Sequence, residues 1–235
     1  MAATGQKMKK PLIQSTRDQV FQGLKEMILD NTYDPGEVLQ IDRLSDEFGV
    51  SSTPIREALI RLEGYGLVTL IPNKGARVTE ITVDDVRNTW EMRVVLEPYA
   101  ARITATLEGL DEEFKRLRSS FLRISNGESE LDLYIESDIR LHTLLYEHLS
   151  NPFLKETVQR VRQLSMRMRY FPEGVEQIKA TVMATVADEH LEIVDALLAH
   201  DPERSARAVQ NHIEHGRDRA LAYLERGIKD EPAYR

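Results

Sequence analysis

The feature that most constrains this chain is the stretch "FGVSSTPIREALIRLEGYGLV" at residues 48–68. Gly49 suits the left-handed end of one helix, and the hydroxyl of Ser52 or Thr53, followed by Pro54, suits the start of another. Apolar residues then recur at the spacing of one buried helix face, at Ile55, Leu59 and Leu62. Two helices joined by so short a turn predict a helix-turn-helix.

The neighbouring segments complete a small domain around this turn. "TRDQVFQGLKEMILD" (residues 16–30) has the period of a first helix, and "IDRLSDEF" (41–48) predicts the second. The third helix runs to about Gly64, after which "LVTLI" and "ARVTE" predict two strands joined by the tight turn "PNKG". Three helices and a hairpin make a winged helix-turn-helix domain over residues 1–80, with a linker near residues 79–83.

A helix placed in this way is suited to reading DNA. Recognition helices pack one face inward and present their first residues to base edges in the major groove. The guanidinium of Arg56 can donate paired hydrogen bonds to guanine, while the turn of the hairpin lies along the phosphate backbone or the minor groove. The alternative is a small helical module whose arginine is only solvated. The candidate DNA contacts are Ser51, Ser52, Thr53, Arg56, Asn73 and Lys74.

The charge distribution is compatible with DNA binding although the net charge is -8. Residues 1–80 carry 10 Lys and Arg against 11 Asp and Glu, so most of the excess acidity belongs to the remaining residues. The chain has no Cys, which excludes disulfides and limits a metal site to nitrogen and oxygen ligands. No segment has the apolar length of a signal peptide or a membrane span, so we expect a cytoplasmic protein without a membrane partner.

Residues 81–235 predict an all-helical domain. Asn-Gly, Asn-Pro, Pro-Glu-Gly and Asp-Pro segments separate the apolar-periodic stretches, and Asp201 is a suitable cap before Pro202. The chain has neither a Gly-rich phosphate loop nor a G-x-S-x-G motif. The expected architecture is an antiparallel helical bundle. The predicted helices span residues 84–107, 111–124, 131–149, 152–170, 177–200 and 202–227.

One carboxylate and three histidines of this domain have the chemistry of metal ligands. Asp138 and His142 are four residues apart and so face the same side of one helix. His190 and His212 lie on two later helices, beside apolar residues that point inward. Together they can bind a divalent metal, Zn or else Ni, Mn or Fe, with a coordination position left open. From spacing alone, ordinary core or surface histidines are the alternative, because the sequence does not show that the helices converge.

These motifs resemble those of a known family. The run "GVSSTPIREALIRLEGYGLV" is similar to the helix-turn-helix signature of the GntR-family bacterial transcription regulators, and "LIPNKGARV" resembles their wing. The helical remainder is similar to the effector domain of the FadR subfamily, called the FCD domain. Arg56 matches a family arginine, but Ser52 and Asp42 stand where the family often has arginine. The resemblance therefore implies the fold but does not fix the operator sequence or the affinity for it.

The resemblance also implies roles in the helical domain. FCD domains that bind metal have an Asp-x3-His pair on one helix and two histidines on later helices, a pattern that the four candidate ligands match one by one. Arg93, in "WEMRVVLEPYAARITA", resembles the arginine of the family's first effector-domain helix and would hold the carboxylate of a metal-bound effector. The alternative for Arg93 is an ion pair with Glu97 on a solvated helix face.

Several charged residues fall outside this pattern. Glu189 and Glu214 are close in sequence to His190 and His212, and adjacency on a helix is expected to direct them away from the ligands. Three histidines are expected at the surface, namely His148, His200 and His215. Arg162, Arg167 and Arg169 are expected on a solvated charged face, and the alternative is that they line the effector pocket.

The sequence therefore predicts a dimeric, ligand-responsive repressor or activator of transcription. Residues 1–80 would bind DNA, and residues 81–235 would bind a small organic or sugar acid and form the dimer. A two-fold dimer implies a pseudo-palindromic operator. Two alternatives are a metal-dependent hydrolase or lyase that uses the same Asp and His residues, and a regulator whose pocket holds no metal.

Overall fold

The structure is a computed structural model that describes residues 15–128, 131–169 and 176–230. The chain divides into two compact units between Glu80 and Ile81. A small antiparallel sheet lies in the first unit, and the regular elements described in the second unit are all helices, so the predicted mainly α fold class is confirmed. None of the helices in this part of the chain combines the length and the low polarity that a membrane span requires.

The first unit is a winged helix-turn-helix with one more strand than the sequence predicts. The strand β1 precedes α2 and pairs with β3, which gives the sheet order β1-β3-β2. Because β1 has only three residues, it shows no alternating pattern of its own and depends on its partner strand. The elements are α1 (Thr16–Leu29), β1 (Val38–Gln40), α2 (Ile41–Phe48), α3 (Ser52–Gly64), β2 (Val68–Ile71) and β3 (Gly75–Val78).

The helix α3 has the buried face that its sequence predicts, since Ile55, Leu59 and Leu62 are all buried. The turn before it begins at Gly49, whose φ of 63° places it in the left-handed region. The predicted cap is wrong, because the N-cap is Ser51 and its side chain makes no capping hydrogen bond. The Ser51 hydroxyl is therefore not used to cap α3.

The second unit contains six helices in its described residues, and the four starts that follow described residues, at positions 83, 111, 152 and 202, agree with the predicted starts to within one residue. Thr82 and Asp85 form a capping box at the first of them, and Asp201 accepts a hydrogen bond from the Arg204 amide, which confirms the predicted cap. The predicted Pro172-Glu173-Gly174 loop lies outside the described residues. The helices are α4 (Val83–Thr104), α5 (Asp111–Ser125), α6 (Leu131–Glu147), α7 (Pro152–Arg169), α8 (Glu176–Leu198) and α9 (Pro202–Asp230).

The core of this unit lies between its packed helices. The helix α4 packs against α6, α7 and α9, while α5 packs against α6 and α8. Trp90, Phe114 and Phe121 are the largest apolar side chains buried in it. A second set of buried side chains is polar or charged, and it gathers on the inward faces of α4, α6, α7, α8 and α9. Buried charges are costly unless they are paired or bind a ligand, so this set is the candidate functional site.

Candidate functional site

Three buried histidines meet inside the helical unit. His142 lies on α6, His190 on α8 and His212 on α9, and their exposed fractions are 1%, 0% and 6%. One ring nitrogen of each lies within 4.8 Å of the corresponding nitrogens of the other two. The three helices thus bring together imidazoles that are far apart in the sequence, in an arrangement that suits one shared cation.

The carboxylate of Asp138 lies beside two of these histidines. Its Oδ1 atom lies 3.4 Å from Nε2 of His190 and 3.8 Å from Nε2 of His142. Its Oδ2 atom accepts a hydrogen bond of 2.7 Å from Nη2 of Arg162. One oxygen therefore faces the imidazoles, while the other is fixed by a buried arginine.

Two further carboxylates orient two of the three histidine rings. The Nδ1 atom of His142 lies 3.0 Å from Oε2 of Glu97, and Nδ1 of His212 lies 2.8 Å from Oε2 of Glu189. An ionised carboxylate can only accept, so each Nδ1 carries the proton and each Nε2 keeps its lone pair. Nε2 of His142 is buried and forms no hydrogen bond with any residue that the structure describes. A three-nitrogen, one-oxygen donor set of this kind fits a divalent cation.

The protonation states suit metal binding as well. Burial lowers the pKa of His142 to about 3, with a contribution from the Arg162 cation, and burial also lowers the pKa of His212 to about 3. Burial opposes the charge of Glu97, but Arg93 and His142 outweigh it and hold the pKa of this carboxyl well below its usual range. At neutral pH both imidazoles are uncharged, and Glu97 is ionised, which is the state that coordination requires.

The structure places Arg93 beside this centre, on the buried face of α4. Its Nε donates to Oε1 of Glu97 at 2.6 Å, so the predicted ion pair is present. Only 2% of Arg93 is exposed, so the prediction that this ion pair lies on a solvated helix face is wrong. The Trp90 ring lies 5.4 Å from the guanidinium carbon, and its Nε1 is buried without a hydrogen-bond partner among the described residues.

Two arginines that were expected to be solvated are buried. Arg162 and Arg167 are each 4% exposed, because α7 packs against α4 and α6. The Asp138 carboxylate compensates the first cation. Burial lowers the pKa of Arg167, and the nearby Asp85 charge opposes this effect. The side chain of Arg169 lies outside the described residues.

The remaining histidines, His148, His200 and His215, are exposed, in agreement with the prediction. The prediction for Glu189 is wrong in part. Its side chain points away from its neighbour His190 but contacts His212 on α9. The available signal was the spacing of histidines and an arginine three and four residues apart along α9, which places them on one face of that helix.

In the first unit, the predicted DNA contacts lie at the start of α3 and at the turn between β2 and β3. Ser51, Thr53 and Arg56 are exposed and Ser52 is half-buried. Both Asn73 and Lys74 are exposed, and the φ of 61° at the asparagine forms the tight turn. All six candidates are thus available to a ligand at the surface of this unit.

Neighbouring basic residues are engaged within the unit. Arg61 pairs with Asp18 at 2.8 Å and stacks over the Phe21 ring, while Arg77 donates to the Gly36 carbonyl. Arg56 lies closer to the start of α3 than Arg61 does. Its exposed side chain forms no such hydrogen bond or ion pair with the residues that the structure describes. This difference separates a candidate DNA contact from arginines that stabilise the unit.

The fold defines a class of protein in which a winged DNA-binding unit is followed by a helical ligand-binding unit. Residues 16–78 match the model of the bacterial regulatory proteins of the gntR family, and residues 88–215 match the FCD domain. The chain therefore belongs to the GntR family of bacterial transcription regulators and carries an FCD domain.

Individual relatives agree with this family. The chain is 28% identical over 214 residues to the uncharacterized HTH-type transcriptional regulator YdhC of Bacillus subtilis, covering 89% of this chain and 92% of the relative. It is 27% identical over 203 residues to the HTH-type transcriptional repressor RspR of Escherichia coli, covering 86% and 87%. Among solved structures, E. coli McbR/YncC has a TM-score of 0.70 at 19% identity, covers 90% of this chain and 98% of its own, and shows a shared fold.

The family also decides between the classes of function that the sequence left open. Both matched domains and the relatives belong to transcription regulators and not to enzymes. The alternative of a metal-dependent hydrolase or lyase is therefore wrong. The buried polar group of the helical unit is to be explained as part of a regulator.

Proposed function

We propose that this regulator binds a pseudo-palindromic operator as a homodimer and responds to a small carboxylate held at a divalent metal in its helical domain. Residues 1–80 bind DNA, and residues 81–235 bind the effector and form the dimer. The observation that carries the proposal is the convergence of three buried imidazoles, with one oxygen of the Asp138 carboxylate close to two of them. Because bacterial operators lie in the cytoplasm, so does the protein.

The metal ligands in this proposal are Oδ1 of Asp138, Nε2 of His142 and one ring nitrogen each of His190 and His212. Imidazole nitrogens and a carboxylate oxygen suit Zn best, with Ni, Mn or Fe as alternatives. When bound, the cation supplies an open coordination position for a carboxylate oxygen of the effector. The protein holds the ligands in the required tautomer through the carboxylates of Glu97 and Glu189.

The charge balance of the site supports an anionic effector. In the described part of the helical unit, the buried charged side chains are three arginines and two carboxylates, with neutral histidines beside them. A divalent cation increases this positive excess, and an anion that enters the site reduces it. The buried charged residues are Arg93, Arg162, Arg167, Glu97 and Asp138.

Two donors on α4 suit the rest of the effector. Arg93 binds Glu97 chiefly through Nε, and a guanidinium has five N–H donors in all. Trp90 offers an indole N–H that is already removed from water and has no acceptor among the described residues. An acceptor oxygen of the effector would satisfy this donor without a new desolvation cost. Arg93 and Trp90 are therefore the proposed effector contacts.

On the DNA side, α3 is the recognition helix, and Ser51, Ser52, Thr53 and Arg56 contact bases or phosphates near its start. Asn73 and Lys74 contact the backbone or the minor groove. Effector binding favours one arrangement of the two DNA-binding units, which couples the two sites by a free energy. A role as repressor is supported by the name of the relative RspR.

The proposal is tested by thermal unfolding against a panel of small carboxylic and sugar acids, before and after removal of metal by a chelator. A ligand at about 100 times its dissociation constant stabilises the native state by about 2.7 kcal/mol, which is readily measured. We expect a shift that chelation abolishes and added Zn²⁺ restores. A shift that chelation leaves unchanged would instead support a regulator whose pocket holds no metal, and the absence of any shift would contradict the sensor.

A further inference from the structure

The carboxylate of Glu189 gathers three side chains of α9 around one group of α8. Its Oε2 lies 2.8 Å from Nδ1 of His212 and 2.9 Å from Nη2 of Arg219. Its Oε1 lies 2.7 Å from Nη1 of Arg219 and 3.1 Å from Nδ1 of His215. Both oxygens are thus used, and the arginine binds them as a two-pronged fork.

We propose that Glu189 is the positioning residue that holds His212 ready for metal, and that Arg219 and His215 hold Glu189 in turn. This inference rests on the proposed metal site. The carboxylate accepts a hydrogen bond from the Nδ1–H of His212, which leaves the Nε2 lone pair for the cation. The fork of Arg219 fixes the plane of the carboxylate, so neither the tautomer nor the ring orientation of His212 is free to change.

Glu189 differs from Glu97, the partner of His142, in its surroundings. Glu97 and its arginine are fully buried, so removing either charge would leave the other uncompensated in the core. Glu189 lies instead at a groove of about 300 Å³ between α8 and α9, and the Arg219 side chain is 32% exposed. A neutral residue at position 189 therefore leaves its arginine in contact with water, and the fold is expected to survive.

The same groove provides a matched control. Glu192 lines it three residues further along α8, and it pairs with Arg204 and not with a histidine of the metal centre. The substitution Glu192→Gln removes an equal charge at the same surface without touching His212. A difference between the two glutamine variants thus reports the contact to the imidazole and not the electrostatics of the groove.

The experiment measures the affinity of the full chain for Zn²⁺ by competition with a chromophoric chelator. We expect Glu189→Gln to weaken binding by about 10- to 100-fold, the range for hydrogen-bond partners of metal ligands, and Glu192→Gln to leave it unchanged. Arg219→Gln should give a smaller loss, because the carboxylate remains but is less firmly held. In a His212→Ala background, Glu189→Gln should cause no further loss, which a general structural defect would not reproduce.

Each result bears on the inference. Wild-type Zn²⁺ affinity in Glu189→Gln, with metal binding lost in His142→Ala, would reject the positioning role and leave the proposed site standing. If wild-type protein does not bind Zn²⁺, both proposals are rejected together. If Glu189→Gln does not fold, the Arg219→Gln variant decides the question, and an unchanged affinity in that variant contradicts the inference.

Discussion

At the scale of single residues, burial and hydrogen bonding together set the chemistry of the helical unit. Burial lowers the pKa of His142 to about 3, and the adjacent Glu97 carboxylate fixes which nitrogen carries the proton. The imidazole is therefore neutral over the physiological pH range, and its Nε2 lone pair accepts no hydrogen bond from a described residue. Such a group is an incomplete hydrogen-bonding site unless a cation completes it.

Replacement of His142 by alanine tests the group directly. We expect His142→Ala to lower the amount of bound metal and to remove the stabilisation that added Zn²⁺ produces, because one of the four proposed ligands is lost. His148→Ala is the control, since this histidine follows α6 and is exposed. Metal content is measured by elemental analysis of the purified proteins, and full occupancy in His142→Ala would reject the site.

Replacement of Arg56 tests the DNA-contact residues. The side chain is exposed, so Arg56→Ala should change the stability by no more than about 0.5 kcal/mol. A bidentate contact to a base supplies about 1–3 kcal/mol of discrimination, so specific operator binding should fall by roughly one to two orders of magnitude. Arg123→Ala, on the exposed side of α5, is the control. Unchanged operator affinity in a gel-shift titration of Arg56→Ala would exclude the recognition role.

The indole of Trp90 gives a prediction about the effector. Trp90→Phe keeps an aromatic ring but removes the buried N–H donor. A hydrogen bond to a charged group contributes about 1.5–3 kcal/mol, so the affinity for an active acid should fall by roughly 10- to 100-fold. Zn²⁺ affinity should stay unchanged, which separates this effect from damage to the centre. Calorimetric titration of both ligands measures the two affinities, and equal acid affinities would contradict the contact.

Sequence reasoning predicted the four candidate ligands but not the residues that orient them. Asp138 and His142 are recognisable because they are one helical turn apart. Glu97 and Glu189 reach their histidines across contacts between different helices, and no local pattern encodes such contacts. The same limit explains the error at Arg162, since its burial depends on how α7 packs against α4 and α6.

At the scale of elements, local signals determined the helices well and the sheet less well. Apolar periodicity, caps and Asn-Pro or Asp-Pro steps mark helix starts, and these signals lie within a few residues of each other. The strand β1 lacked such a signal because its three residues become a strand only by pairing with β3. Gly75 shows the constraint of that pairing, since its φ is 147° and a Cβ there would overlap the Leu39 carbonyl oxygen.

This close approach gives a prediction for the wing. Gly75→Ala should destabilise the first unit by at least about 1–3 kcal/mol, because it combines backbone strain with a clash against β1. Gly66→Ala is the matched control, since its φ is 73° but a Cβ there meets nothing within 4 Å. Amide hydrogen exchange of residues 68–78 should rise strongly in the first variant and less in the second. Equal exchange in both would mean that β1 does not constrain Gly75.

At the scale of the whole molecule, the helix that carries the proposed effector contacts is also the first helix after the DNA-binding unit in the sequence. The helix α4 begins at Val83, directly after the capping box at Thr82, and carries Trp90, Arg93 and Glu97 on its buried face. Through Glu97 it contacts the imidazole of His142 on α6. A ligand that alters this contact would act on the element that follows the linker, and we propose α4 as the route that couples the two functions.

Coupling of this kind must be reciprocal, and the reciprocity supplies the last prediction. If the most stabilising acid of the panel changes operator affinity by some factor, typically about 5- to 150-fold, the operator must change the affinity for that acid by the same factor. Chelation should abolish both effects if the metal holds the acid. Fluorescence anisotropy of labelled operator and calorimetry of the acid measure the two factors. Only a ligand that binds two states with different affinities shifts the equilibrium between them. An acid that binds tightly while operator affinity stays constant would therefore show that ligand binding in the helical unit is not coupled to DNA binding.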